Sequence, residues 1–374
     1  MKQQNQTQPY SQENPPRFHS SDEIDLRELI RALWDGKLII ILVTALFIIG
    51  SIGFALLAQE WWSSEAKVTK AQSQDIAAYQ QQVRQFQPVF DIYQEDGTVL
   101  VSKELNHLVS SDVLFQRFVN KFNSTNNKRE FLDNSVEFQE YKDSAFSSNV
   151  DMTADEVRVL STKWFNRISA TKVDNKDASL SYTVSFQTTT KDSSFDLLSA
   201  YIKATEFSVH QDAFNNLRAV VDGKRNELIQ QKRILESQAI NQLLVETERT
   251  KYAAQIANSA GVDRPIQTGN EKELFSIHLG SKGLEAKVKA LESVKNLSVI
   301  EPRLQQINAK LQMLDDLEID RAVRFQTFRF LENVEQPITR DKPKRALIVV
   351  LGALLGGALG FVIVLIRFVF RKED

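Results

Sequence analysis

Residues 337–360 read PITRDKPKRALIVVLGALLGGALG, two prolines and a basic cluster set directly against an apolar run that carries glycine at 352, 356, 357 and 360. The uncharged run extends over residues 346–366, and a second one, LIIILVTALFIIGSIGFALL, occupies residues 38–57. Each is about 20 residues long, enough to cross roughly 30 Å of hydrocarbon at ~1.5 Å per residue. Two transmembrane helices, one toward each end, therefore set the plan of the chain. The first run is longer than the roughly 7–15-residue apolar core of a cleaved signal sequence. No A-x-A-like site stands cleanly before Glu60, and Trp61 and Trp62 follow at once where an interfacial aromatic belt would sit, so the run reads as an uncleaved anchor.

Two spans put both tails on one side and the middle region on the other. Arg27, Arg31 and Lys37 before the first span and Arg367, Arg371 and Lys372 after the second favour cytoplasmic tails. Arg340, Lys342, Lys344 and Arg345 crowd the opposite end of the second span and argue the other way. Long segments cross largely regardless of charge, so the middle region is expected outside the cytoplasm. The 374-residue chain is 42% hydrophobic and 25% charged, with a net charge of −2 and scattered basic residues, so nothing in it points to a nucleic-acid partner. It has no cysteine, so a translocated region must be held by packing and association rather than by disulfides.

Residues 1–20 are rich in Gln, Asn and Pro and are expected to form a disordered cytoplasmic tail. Residues 21–37, SDEIDLRELIRALWDGK, predict an amphipathic juxtamembrane helix, with Ser21 as cap and Ile24, Leu26, Leu29, Ile30 and Leu33 as its apolar stripe. It leads into the span at 38–57.

Residues 58–190 read as the first part of an α/β base. SSEAKVTKA at 63–71 is strand-like, SDVLFQRFVNKF at 111–122 is helical with Ser111 or Asp112 as cap, and RISATKVD with LSYTVSFQTTT forms a hairpin in which Tyr182, Val184 and Phe186 alternate with polar residues. Residues 319–345 return to that base with the strand FQTFRFLENV, Phe328 and Phe330 on one face, and a proline-rich linker. The span at 346–366 and a cytoplasmic tail at 367–374 follow.

Residues 191–318 predict an extended helical arm. From Asp192 to Asn258 there is no proline and only one glycine, Gly223, which allows a single helix on the order of 100 Å. Phe214, Val221, Leu228 and Leu235 recur every seventh residue while Lys224, Gln231 and Gln238 at the partner positions are polar. So narrow a stripe suits a helix covered on one side, not a tight dimeric coiled coil. Gly261, Pro265 and Gly269 end it, and two segments return: Leu284, Val288 and Leu291, then Leu304, Ile307, Leu311 and Leu314 after Pro302.

Chemistry is not legible in the chain. His19, His107, His210 and His278 stand outside any H-E-x-x-H spacing, no Walker motif is present, and GSKGLE at Gly280 is only the nearest glycine-rich text. Asp315 and Asp316 fall on the solvated face of a predicted helix. No catalytic, cofactor-binding or metal residue is expected, and the tail RFVFRKED is too short to hold a kinase.

The segment DEIDLRELIRALWDGK before the first span, the two-span plan, the α/β base with its very long helix, and PITRDKPKRALIVVLGALLGGALG at the second span together resemble the Wzz-type chain-length determinants, the class 1 polysaccharide co-polymerases. The family's proline-rich signature maps onto Pro337, Pro343 and Lys344, followed by Leu347 and the glycines. This chain departs from it in having Asp341 and Lys342 where a serine commonly precedes the second proline.

The resemblance implies an α+β membrane protein with two transmembrane helices flanking a periplasmic α/β base and a very long helical hairpin. It further implies an inner-membrane homo-oligomeric ring with both termini cytoplasmic and no catalytic site or cofactor. Such a ring modulates the modal length of lipid-linked polysaccharide, usually O-antigen in lipopolysaccharide biosynthesis, made by a Wzy-type polymerase. Enterobacterial common antigen or capsule is the alternative polymer. An efflux or secretion adaptor is the alternative class, disfavoured by the second span, and the missing Walker motif argues against a kinase-fused co-polymerase.

Independently of the name, Gly352-x-x-x-Gly356 and Gly356-x-x-x-Gly360 put small residues on one helix face, beside Gly357. That face would meet the first span, a neighbouring protomer or the polymerase, and Gly356→Leu is expected to disturb it. Pro337 and Pro343 read as a stiff join between the last strand and the span.

Overall fold

The computed structural model describes residues 26–94, 96–145, 153–173, 180–266 and 274–373. The tail at 1–20, Ser21, Ile24, His19, Gly269 and the connection between the two hairpin strands lie outside them. In chain order come α1 (Leu26–Asp35), α2 (Lys37–Leu57), β1 (Trp62–Lys70), α3 (Ala77–Arg84), α4 (Gln87–Phe90), β2 (Ile92–Tyr93), β3 (Val99–Leu100), α5 (Ser111–Asn123), α6 (Thr125–Asp133), α7 (Val136–Ala145) and α8 (Ala154–Phe165). They are followed by β4 (Ile168–Lys172), β5 (Ser181–Thr188), α9 (Lys191–Ser259), α10 (Gly280–Glu292), α11 (Arg303–Asp316), β6 (Phe328–Glu332) and α12 (Arg345–Glu373). The fold is α+β, and it divides into two compact units: residues 1–62 with 339–374, and residues 63–338.

The large unit is built on a four-stranded sheet of order β4-β5-β1-β6. β4 and β5 pair antiparallel, Ile168 opposite Phe186 and Ala170 opposite Val184. Period-two alternation puts Val184 and Phe186 in the core. β1 likewise buries Ala66 and Val68 and pairs antiparallel with β6. Thr69 lies opposite Arg329 and Lys70 opposite Phe328, while the step from Val68–Phe330 to Lys67–Glu332 skips Leu331, a bulge in the edge strand. Phe328 and Phe330 do share a face, with ring centroids 5.2 Å apart, but only Phe328 is buried, stacked on Phe118 at 4.3 Å. Phe330 is 42% exposed, because β6 is the outermost strand.

Helices cover the sheet. α5 follows the heptad-like spacing of its aromatics and buries Phe115, Phe118 and Phe122. Its cap is Ser110, one residue earlier than the sequence suggested, whose hydroxyl accepts from Val113 N at 3.4 Å. Phe122 meets Tyr201 of α9 edge to face at 4.7 Å. The buried Tyr201 hydroxyl donates to Phe122 O at 2.7 Å and accepts from Asn127 Nδ2 at 3.0 Å, so its burial leaves no unpaired group. Burial pushes the pKa of this phenol up.

α9 starts on Thr190, whose hydroxyl caps Ser193 N at 3.1 Å, and runs for 69 residues. The predicted stripe Phe214, Val221, Leu228 and Leu235 is buried, and beyond it the buried positions become small: Ala239, Thr247, Thr250, Ala253 and Ala257. The threonine hydroxyls donate to Leu243 O and Glu246 O, each at 2.7 Å, so α9 satisfies them itself. Leu304, Ile307 and Leu314 of α11 share the core of the lower stripe, and Leu284 of α10 packs with Ala253 and Ala257. Gly261 ends α9 at φ +72°, with Val262 N returning to Ala257 O at 2.9 Å, the left-handed cap that glycine adopts without a Cβ penalty. Gly280 at φ +66° begins the return where the backbone of Arg264 leaves no room for a side chain.

Phe118 links α5 to β6 through the core. Phe118→Ala is expected to cost about 3–5 kcal/mol, read as a lower denaturation midpoint of the purified protein with an unchanged denaturant slope.

Candidate functional site at the paired membrane helices

The smaller unit consists of α1, α2 and α12. α2 and the Arg345–Phe370 part of α12 are each long and apolar enough to cross a membrane. They pack against each other through one narrow stripe. On α12 the buried residues recur every fourth position, at Gly352, Gly356, Gly360 and Val364, while Leu351, Leu354, Leu355 and Leu359 around them are exposed.

The glycines are there because α2 leaves no space for anything else. A Cβ on Gly352 would lie 2.6 Å from Ser51 Cβ, on Gly356 2.8 Å from Phe47 Cβ and from Thr44 Cα, and on Gly360 2.9 Å from Ile40 Cα. At the far end the roles reverse: Gly36, at the start of α2, accommodates Val364. Thr44 Oγ1 donates to Ile40 O at 2.7 Å and Ser51 Oγ to Ile48 O at 2.8 Å, so the hydroxyls at the contact bond to their own helix. Close van der Waals approach is what these glycines permit. Gly357 is offset from the stripe, with Thr44 Oγ1 3.9 Å from the position of its Cβ.

The basic cluster has a partner that the sequence reading missed. Glu60 Oε1 accepts from Arg340 Nη1 at 2.7 Å and from Arg345 Nη2 at 2.8 Å, and Arg345 Nε donates to Ala55 O at 3.2 Å. Backbone pairing joins the same segments: Trp61 N donates to Lys342 O at 3.0 Å and Asp341 N to Trp61 O at 2.9 Å. One carboxylate thus gathers two of the four cations that weighed against cytoplasmic tails. Only its position, directly after the first span, signalled it. Pro343 follows a cis peptide bond, and Lys344 O accepts from Ile348 N in the first turn of α12. Pro337 belongs to the large unit and is half-buried there, so the proline motif is divided between the two units.

Among the described residues no group of three or more His, Cys, Asp or Glu is arranged to hold a metal. His107 is exposed, His278 Nδ1 lies 2.6 Å from Ser276 Oγ, and His210 packs on Phe325, where burial pushes its pKa down. The acidic pair on α11 is partly engaged, since Asp315 pairs with Arg225.

Gly356→Leu is expected to lower the thermal midpoint of the detergent-solubilised protein, whereas Gly357→Ala should leave it unchanged; equal effects would contradict the stripe. Glu60→Gln should cost no more than ~1 kcal/mol, because all three partners are about a third exposed and screened by solvent.

Comparison with known proteins adds to this geometry. The Wzz chain length determinant protein family matches residues 22–113, and the family described as a G-rich domain on putative tyrosine kinase matches residues 303–369. The chain is 27% identical over 358 residues to the chain length determinant protein of Shigella dysenteriae, covering 95% of this chain and 96% of that one. It is 26% identical over 366 residues to the ferric enterobactin transport protein FepE of Escherichia coli (strain K12), covering 95% and 92%. A solved structure of a full-length bacterial polysaccharide co-polymerase matches with a TM-score of 0.61 and 26% identity over 94% of this chain and 99% of that one. A Wzz family match at the first membrane end, relatives similar from end to end and a shared co-polymerase fold make the chain similar to the Wzz-type chain-length determinants over nearly its whole length.

Proposed function

We propose that this protein regulates polysaccharide chain length without chemistry of its own, setting the modal length of lipid-linked O-antigen made by a Wzy-type polymerase. The observation that carries the reading is the end-to-end likeness, in sequence and fold together, to a full-length polysaccharide co-polymerase. In this reading the chain sits in the inner membrane by α2 and α12, with both termini cytoplasmic and residues 58–345 periplasmic. It works as a homo-oligomeric ring. Pro337, Pro343, Lys344 and the glycines Gly352, Gly356, Gly357 and Gly360 form the join and the helix contact through which the periplasmic part acts at the membrane.

Physical support comes from what such a task requires. A regulator that acts by holding a polymer and a polymerase needs extended polar surface and a rigid scaffold more than a reactive centre. The 69-residue α9, buried along one stripe only, supplies both.

Deletion of the gene in its own host, followed by electrophoresis of lipopolysaccharide, is expected to abolish the modal cluster of band lengths, and complementation to restore it. An unchanged ladder would overturn the reading. A ladder left intact alongside poorer growth on ferric enterobactin as sole iron source would favour the transport role in the name of FepE instead. Alkaline phosphatase fused after Gln59 is expected to be active, and an inactive fusion would reverse the orientation.

A further inference from the structure

A cleft of about 660 Å³ lies within the large unit, walled by α9 and α11 and bordered by Phe90 of α4 and by Ile92 and Tyr93 of β2. That size falls in the range of roughly 300–1,000 Å³ typical of small-molecule sites. Its floor is apolar and buried: Leu228 and Leu235 from α9 and Ile307 from α11. Its rim is polar, with the amides of Gln94, Gln231, Gln238 and Gln306 set among the charges of Lys224, Glu227, Arg303 and Lys310.

Gln231 and Gln238 stand two turns apart on α9, and Gln306 faces the cleft from α11. Gln231 Nε2 donates to Glu227 Oε1 at 2.8 Å, which leaves the amide oxygen to accept. The side chains of Gln238 and Gln306 and the Tyr93 hydroxyl make no hydrogen bond among the described residues. Tyr93 is 40% exposed. Lys310 fixes the Tyr93 side of the cleft: its ammonium donates to Asp91 O and sits 5.6 Å from the Tyr93 ring centroid. Crowding by burial and by Lys224 lowers the affinity of Lys310 for its proton.

We propose that this cleft binds a short stretch of the hydroxyl-rich polysaccharide itself, a proposal that rests on the chain-length reading above. An amide offers an acceptor and two donors in one plane, which matches the paired donor and acceptor character of neighbouring sugar hydroxyls. An aromatic ring with a polar tip offers an apolar surface to the C–H face of a sugar ring. Buried leucines beneath exposed amides reproduce the same mixture along the cleft, so the site suits an extended neutral or weakly acidic glycan better than a compact ion or a wholly apolar ligand.

The test uses the full-length protein in lipid nanodiscs and, as probes, O-polysaccharide released from the host's lipopolysaccharide by mild acid and dextran of similar mass. Wild type is expected to bind the O-polysaccharide more tightly than dextran. The triple variant Tyr93→Ala, Gln231→Ala, Gln306→Ala should bind it about tenfold more weakly or worse, with oligomer size and thermal midpoint unchanged. Absent wild-type binding, or equal binding by the variant, would overturn the proposal. So would a change in oligomer size, which would assign the cleft to a second copy of the chain. If deletion alters the ladder while the triple variant binds and complements like wild type, the cleft assignment fails and the chain-length reading stands. An unaltered ladder on deletion removes the chain-length reading instead.

Discussion

The large unit depends on one act of closure, the antiparallel pairing of β1 with β6. Lys67 and Glu332, 265 residues apart in sequence, meet at 2.6 Å across it. That exposed ion pair contributes little by itself. The pairing is held by the backbone ladder and by Phe328 sunk against Phe118 beneath it. With its entry and exit strands side by side, everything the chain builds in between must leave the sheet and come back to it. A 69-residue helix is then possible only with a return path, and α10 and α11 supply it by covering the single apolar stripe of α9 in two segments.

The membrane unit obeys a different constraint. Lipid is as apolar as leucine, so burying leucine against leucine gains nothing, and association must come from close approach. Glycine at every fourth position of α12 supplies that approach, and the hydroxyls of Thr44 and Ser51 stay bonded to their own helix. Charge is handled at the end of the spans, where Glu60 takes Arg340 and Arg345 together. Cations that look like an orientation signal when read along the chain are, in space, part of an ion cluster.

Legibility followed periodicity. The spans, the long helix and the alternation of Val184 and Phe186 were readable because each repeats a local pattern that water or lipid enforces. The cap of α5 was missed by one residue because Ser110, Ser111 and Asp112 are all competent and only the path of the backbone chooses among them. Glu60 was missed because its partners lie some 280 positions away, and no local pattern encodes such a pairing. The exposure of Phe330 beside buried Phe328 depends on which strand ends at the sheet edge, a property of topology that one strand's sequence does not carry. The cleft between α9 and α11 was invisible for the same reason: Gln231, Gln306 and Tyr93 come from three elements, and each alone reads as ordinary surface.

The reversal at Gly36 has a mechanical consequence. Along most of the α2–α12 contact the hollow is on α12, but at Val364 it is on α2. Sliding α12 by one turn, ~5.4 Å, in one direction brings Val364 onto Ile40, in the place Gly360 now fills. Sliding it in the other direction brings Ile348 onto Ser51, in the place of Gly352. The two helices are therefore keyed against axial slip. A full-turn slip of one span past the other would set a branched side chain where the contact now has glycine, so the glycine register opposes it.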